Sequence, residues 1–174
     1  PKPEGAEMPY VGGLYYLLMV GDFPTEEEAL KVERAWAENS DVPEHVFDVL
    51  RSMPKDTHPM ALFSQAILSL QGGSKFAKRY AEGMSKMDIW RPALDDAMFM
   101  TSKLGVIAAF IYQMKYKDGV EPKYDPNLDY GANFAQMMGI EDPEYADMAR
   151  LYFILHSDHE SGNVSAHTMH LVGS

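Results

Sequence analysis

Apolar residues in this chain recur three and four positions apart in nearly every segment, and no stretch holds the two-residue alternation of a half-buried strand. That spacing stacks apolar side chains on one face of a helix and predicts an all-α fold. Turn signals divide the segments. A first helix is expected from about Gly13 to Val20, closed by Gly21. Thr25 followed by Glu28 reads as a capping box, with Glu26 and Glu27 set against the positive end of the helix they open. Ala29, Leu30, Val32 and Trp36 supply its apolar side. Pro43 suits a first helical position, and Val46, Val49, Leu50 and Met53 carry the spacing on to Pro54.

A more apolar helix follows His58-Pro59-Met60 to about Leu70, before Gly72-Gly73. Phe76, Tyr80 and Met84 fall four apart on one face of the next. The longest segment runs from about Pro92 to Lys117, with Leu94, Ala97, Met98, Thr101, Leu104, Ala108, Ile111 and Tyr112 as its expected buried stripe and Gly119 as its end. Residues 118–127, with Pro122 and Pro126, read as a loop. A short helix covers about Tyr130 to Met138 and stops at Gly139. Asp142-Pro143-Glu144 marks another start, and Met148, Leu151, Tyr152 and Leu155 form the apolar side leading to a histidine-rich end.

Composition removes several classes of function. The net charge of −11 argues against nucleic acid and anionic membrane as partners, since both need clustered Lys and Arg; the densest group here is Lys75, Lys78 and Arg79. No run of eighteen apolar residues exists, which argues against a spanning helix. Without cysteine there is no disulfide, thiolate zinc site or thiol nucleophile. Thirteen methionines at helical spacing read as core filler. The first residues, Pro1 to Gly5, carry no targeting signal, and Leu171 to Ser174 break off in an apolar run. Both ends are therefore expected to be cuts in a longer protein.

Four of the six histidines stand at 156, 159, 167 and 170. Each pair is i,i+3 and would share a helix face. Three readings are open from the residues themselves: structural histidines bonded to backbone or to Asp158 and Glu160, a zinc site, or an anion-binding or acid–base site. Gly162 weakens the zinc reading by breaking the helix between the pairs.

The string His156-Ser157-Asp158-His159-Glu160-Ser161-Gly162-Asn163-Val164-Ser165-Ala166-His167-Thr168-Met169-His170-Leu171-Val172-Gly173-Ser174 closely resembles the H-S-D-H-E-G-G-N-V-S-A-H-T-S-H-L-V-G-S block of eukaryotic citrate synthases. The resemblance runs through the chain in order: Gly13 to Leu18 with Gly21-Asp22-Phe23-Pro24-Thr25, then His58-Pro59-Met60, Phe76 to Gly83, and Met148 to Tyr152. It implies a multi-helical, antiparallel packing, with 1–174 a single helical region of the large domain.

The family condenses acetyl-CoA with oxaloacetate to citrate and CoA, without metal or other cofactor, as a homodimer of the mitochondrial matrix. A carboxylate base removes a methyl proton, one histidine stabilises the enol and a second polarises the ketone. By position in the motif, His159 is the oxaloacetate contact, Asn163 a supporting hydrogen-bonding group, and His156 a neighbour of the site. His167 and His170 are expected to pack or cap. Ser161 departs from the family's glycine, and poor local matching around Lys86 leaves no CoA-phosphate role to carry over. The family's G-P-L-H-G and G-Y-G-H strings do not occur here. The resemblance thus implies that the catalytic groups follow Ser174, with none inside this chain and no metal site. A methylcitrate synthase using propionyl-CoA, and a non-catalytic helical module derived from the fold, are the alternatives.

Overall fold

The computed structural model describes residues 1–157 and 164–173. Among them there is no strand. The α-helices are α1 (Val11–Val20), α2 (Glu26–Glu38), α3 (Glu44–Ser52), α4 (Pro59–Ser69), α5 (Lys75–Ala81), α6 (Trp90–Tyr116), α7 (Tyr130–Met137), α8 (Pro143–His156) and α9 (Val164–Gly173), with short 3-10 turns after α4 and before α6.

Local chemistry sets most of the boundaries. Thr25 and Glu28 make the reciprocal capping box of α2: the Thr25 N–H donates to Glu28 Oε2 at 2.8 Å and the Glu28 N–H to Thr25 Oγ1 at 3.3 Å. The Thr25 N–H and hydroxyl and the Tyr16 hydroxyl hold the Glu28 carboxyl down at about 2. Asp142 caps α8 by accepting from the Glu144 N–H at 2.9 Å, with Pro143 in the first turn. Gly21 closes α1 at φ 89°, a left-handed conformation that costs glycine nothing. Pro43 stands one place earlier than expected, as the N-cap of α3.

The chain divides into two compact units, each with its own interior. The second, Arg34–Asn127 with Gln136–Ile140, holds the larger apolar core: Val46, Phe47 and Leu50 of α3, Leu62 and Ala66 of α4, and Val106, Ile107, Phe110 and Ile111 of α6. Helix α3 packs on α4, and α4 and α5 on α6. Phe47 meets Phe110 edge-on at 4.7 Å. Lys103, almost fully buried, lies over the Phe99 ring and donates to the Asn39 carbonyl, which also accepts from Ser102 Oγ at 2.8 Å. The end of α2 is closed by these two α6 side chains.

The buried face of α6 is turned one residue from the expected stripe. Of that stripe Ile111 is enclosed and Leu94, Ala97, Met98, Thr101, Leu104, Ala108 and Tyr112 are half-buried, while Ser102, Lys103, Val106, Ile107 and Phe110 are enclosed beside Ile111. From Leu104 to Ile111 the helix is apolar all round, so periodicity cannot choose a face; α3 and α4 choose it. By length and composition alone α6, with the turn before it, could cross a membrane, contrary to the sequence reading. Its packing against α4 and α5, with Phe110 edge-on to Phe47 of α3, makes it the core helix of this unit.

The first unit comprises Pro1–Glu33, Leu128–Ala135 and Glu141–Ser174. Helix α1 packs against α8. Glu33, on the same face of α2 as Ala29, is 5% exposed; Oε1 accepts from the Gly12 N–H at 2.8 Å and Oε2 from the Tyr130 N–H at 2.7 Å. Gly12 permits that approach, since a Cβ there would meet the Ala29 carbonyl, Glu33 Oε1 and Val32 Cβ at 3.1 Å each.

Burial pushes the Glu33 carboxyl up to about 7 against the two N–H donors, with Asp129 acting the same way and Arg150 opposing. A folded value above the unfolded one means the folded chain binds more protons between the two. The stability from this group is therefore full below about 4.5 and lost as pH rises through 7, a difference of about 3 kcal/mol. Urea unfolding of the wild type and Glu33→Gln at pH 5 and pH 8 is expected to show a fall with pH that is smaller in the variant by about 2.5 kcal/mol, the part of that difference lying between these two values. Equal falls would remove Glu33 as the cause. Because Gln turns an amide N–H toward one of the two donors, the variant is expected to be weaker at both values, and the slope carries the test.

Candidate functional site

Helix α8 delivers the histidine-rich segment, and a buried charge network holds it. Arg150, 5% exposed, grips Asp129 with two parallel bonds, Nε to Oδ1 at 3.0 Å and Nη2 to Oδ2 at 2.7 Å, and reaches Asp147 Oδ1 with Nη1 at 2.8 Å. This is the two-pronged geometry a guanidinium matches best. Both acids do further duty. Asp129 accepts from the Gly131 and Ala132 N–H groups at the start of α7, at 3.1 and 3.3 Å. Asp147 accepts from the Glu7 and Met8 N–H groups at 3.0 Å each.

Desolvation opposes ionisation of Asp147, but the two N–H donors and Arg150 outweigh it and hold its carboxyl below the usual range. Desolvation likewise opposes the Arg150 charge, and Asp129 and Asp147 more than offset that. Gly131 leaves room for the arginine stem, since a Cβ there would overlap Arg150 Cγ.

This network sets the rotation of α8. Ala149 and Arg150 face inward, and Phe153 lies edge-on to Tyr130 at 5.2 Å and Phe134 at 5.3 Å. The expected apolar side is consequently turned outward: Met148, Leu151, Tyr152 and Leu155 are 55%, 38%, 57% and 70% exposed. The anchor is a salt bridge, and the apolar residues follow the turn it dictates.

Of the sequence-assigned site residues, His156 is the last residue of α8. Its ring stacks on Tyr152, 4.0 Å between centroids at 25°, and Nδ1 lies 2.8 Å from the Tyr152 carbonyl. A carbonyl only accepts, so Nδ1 carries the proton of that bond. His159 and Asn163 lie outside the described residues, as does the geometry of the zinc reading, which needs His159. His167 is exposed on α9, and the His170 side chain lies outside the described residues. Among the described residues no group of three or more His, Asp and Glu is arranged to hold a metal ion.

A family model described as citrate synthase, C-terminal domain, matches residues 8–174. The chain belongs to the citrate synthase family. It is 48% identical over 174 residues to the mitochondrial citrate synthase of Saccharomyces cerevisiae, covering all of this chain and 36% of that protein. It is 45% identical over 174 residues to the peroxisomal citrate synthase of the same yeast, again covering this whole chain and 38% of the relative. A solved structure, the citrate synthase of Pyrobaculum aerophilum, is similar with a TM-score of 0.73 at 25% identity, over 87% of this chain and 38% of that one. The chain thus spans a little over a third of the length of these citrate synthases, whose all-helical fold it shares.

Neither Glu33 nor the Arg150 network entered the sequence reading. Glu33 did carry a signal: Ala29, Glu33 and Trp36 fall at i, i+4 and i+7, which puts a carboxylate on the buried face of α2. Arg150 carried none, because Asp147 and Arg150 at i,i+3 look the same as an exposed surface pair.

Proposed function

We propose that this chain is the large-domain portion of a citrate synthase that condenses acetyl-CoA with oxaloacetate and water to citrate and CoA. The observation that carries the reading is the nineteen-residue block from His156 to Ser174, which resembles the family's oxaloacetate-binding motif and directly continues α8. On this reading the protein works with its two substrates and no cofactor, as a homodimer in the mitochondrial matrix. The groups that remove the methyl proton and polarise the ketone come from the remainder of the protein.

The part assigned to this chain is substrate binding. His159 donates a hydrogen bond to oxaloacetate, a role imidazole fills in either protonation state near neutral pH. Asn163 supports it with its amide, and His156, stacked on Tyr152, flanks the turn. In the full-length protein, His159→Ala is expected to raise the KM for oxaloacetate and lower kcat/KM by one to two orders of magnitude, about 1.5–3 kcal/mol for a bond to a charged ligand. Its melting temperature is expected to stay near that of the wild type. A structural histidine gives the reverse, a lower melting temperature with normal constants. Propionyl-CoA assayed beside acetyl-CoA separates a methylcitrate synthase from the proposed enzyme.

A further inference from the structure

We infer that Glu33 is a proton-operated latch within the first unit: uncharged, it holds the start of α1 to the start of α7, and ionised, it lets them part. The inference is independent of the functional reading above.

The placement of charges points to it. Four ionisable groups act on one another in this interior: Glu33 on α2, Asp129 ahead of α7, and Asp147 and Arg150 on α8. With all three acids ionised, the cluster would carry two more negative charges than positive, in surroundings that disfavour any unpaired charge. Both aspartates are compensated. Each bonds to Arg150 and accepts two backbone N–H groups. Glu33 has only the Gly12 and Tyr130 N–H groups, and among the described residues no cation bonds to it. A proton taken up by the cluster therefore goes to Glu33. From the α1 side it is faced by Tyr10, whose phenol burial pushes up, with Glu26 of α2 and Asp129 acting the same way, so that ring supplies no charge near neutrality.

Ionisation strengthens the two N–H bonds but leaves a charge in the interior, and burial is the larger effect. A charged Glu33 is stabilised by reaching water. Its two oxygens reach water only when the Gly12 and Tyr130 N–H groups let go, so the opening is confined to the first turns of α1 and α7. With the carboxyl at about 7 when closed and 4.5 when open, the open fraction is expected to rise about tenfold from pH 6 to pH 8 and to level off above that.

Hydrogen exchange of the full-length protein, corrected for the intrinsic rise of exchange with pH, makes the test. Peptides covering Val11–Val20 and Tyr130–Met137 are expected to open about tenfold more at pH 8 than at pH 6, while those of α3 and α4 change less than about twofold. Glu33→Gln is expected to abolish the difference. A wild type without the rise, a rise shared by every helix, or an equal rise in Glu33→Gln overturns the inference. Should Glu33→Gln not fold, Asp129→Asn takes its place. Removing that negative charge and freeing Arg150 both favour the ionised Glu33, so the rise is expected to level off at lower pH and leave little between pH 6 and pH 8. An unchanged rise in Asp129→Asn overturns the inference equally.

Discussion

Assayed alone with acetyl-CoA and oxaloacetate, the 174-residue chain is expected to release no CoA above a buffer blank. The condensation needs a base at the methyl group, a donor to the forming enolate and a donor to the ketone, all held at once. The resemblance attaches the two catalytic histidines to G-P-L-H-G and G-Y-G-H strings, and neither string is in this sequence. Where catalytic groups act as a unit, losing one costs roughly four to six orders of magnitude, and the resemblance implies that all three belong to the remainder of the protein. What this chain carries, the His156–Asn163 segment, is assigned to binding. Spectrophotometric detection of free thiol, with contaminating full-length enzyme excluded by mass spectrometry, makes the measurement. Turnover above the blank would show that the chain holds a catalytic set of its own.

Phe110→Ala is expected to destabilise the chain by about 3–5 kcal/mol, enough to leave much of it unfolded at 37 °C. Phe110 is 1% exposed at the centre of the α3–α4–α6 core, edge-on to Phe47 and with the Arg51 guanidinium 5.5 Å from its ring centroid. Truncation removes the buried area and the ring pair, and leaves a cavity between helices that are held from several sides. Arg51 is pinned by Glu44, Asp48 and Glu121, so it cannot swing in to fill the space. Urea unfolding followed by circular dichroism reads the loss, and a change under 1 kcal/mol would mean that the core relaxes around the gap. Phe110→Leu, which keeps most of the volume, is expected to recover more than half of the difference.

The helices were legible where boundary chemistry is local. The Thr25–Glu28 box, the Asp142-Pro143-Glu144 start and the glycine after α1 act within four residues, and sequence spacing reads them directly. Which face of a helix is buried was legible only where apolar and polar residues segregate. Along α6 apolar residues surround the axis from Leu104 to Ile111, and neighbours distant in sequence decide. Along α8 the pattern misleads, because the inward group is an arginine and binary patterning assigns arginine to solvent. The candidate site shows the same split. His156 was readable as part of a contiguous string. The brace of Asp129, Asp147 and Arg150 joins residues up to 21 apart in sequence, and the Asp147 bonds to Glu7 and Met8 span 140 and 139.

Those last spans bear on the order in which the chain can fold. The first unit is assembled from three stretches, and the 94-residue segment Arg34–Asn127 lies between the first two. The second unit is nearly continuous, so its nucleus closes short loops among α3, α4 and α6. A ribosome emits residues 7 and 8 well over a hundred residues before Asp147 exists to receive them. During synthesis the Glu7 and Met8 N–H groups therefore bond to water until Asp147 has emerged, and the Asp147 clasp cannot form before then.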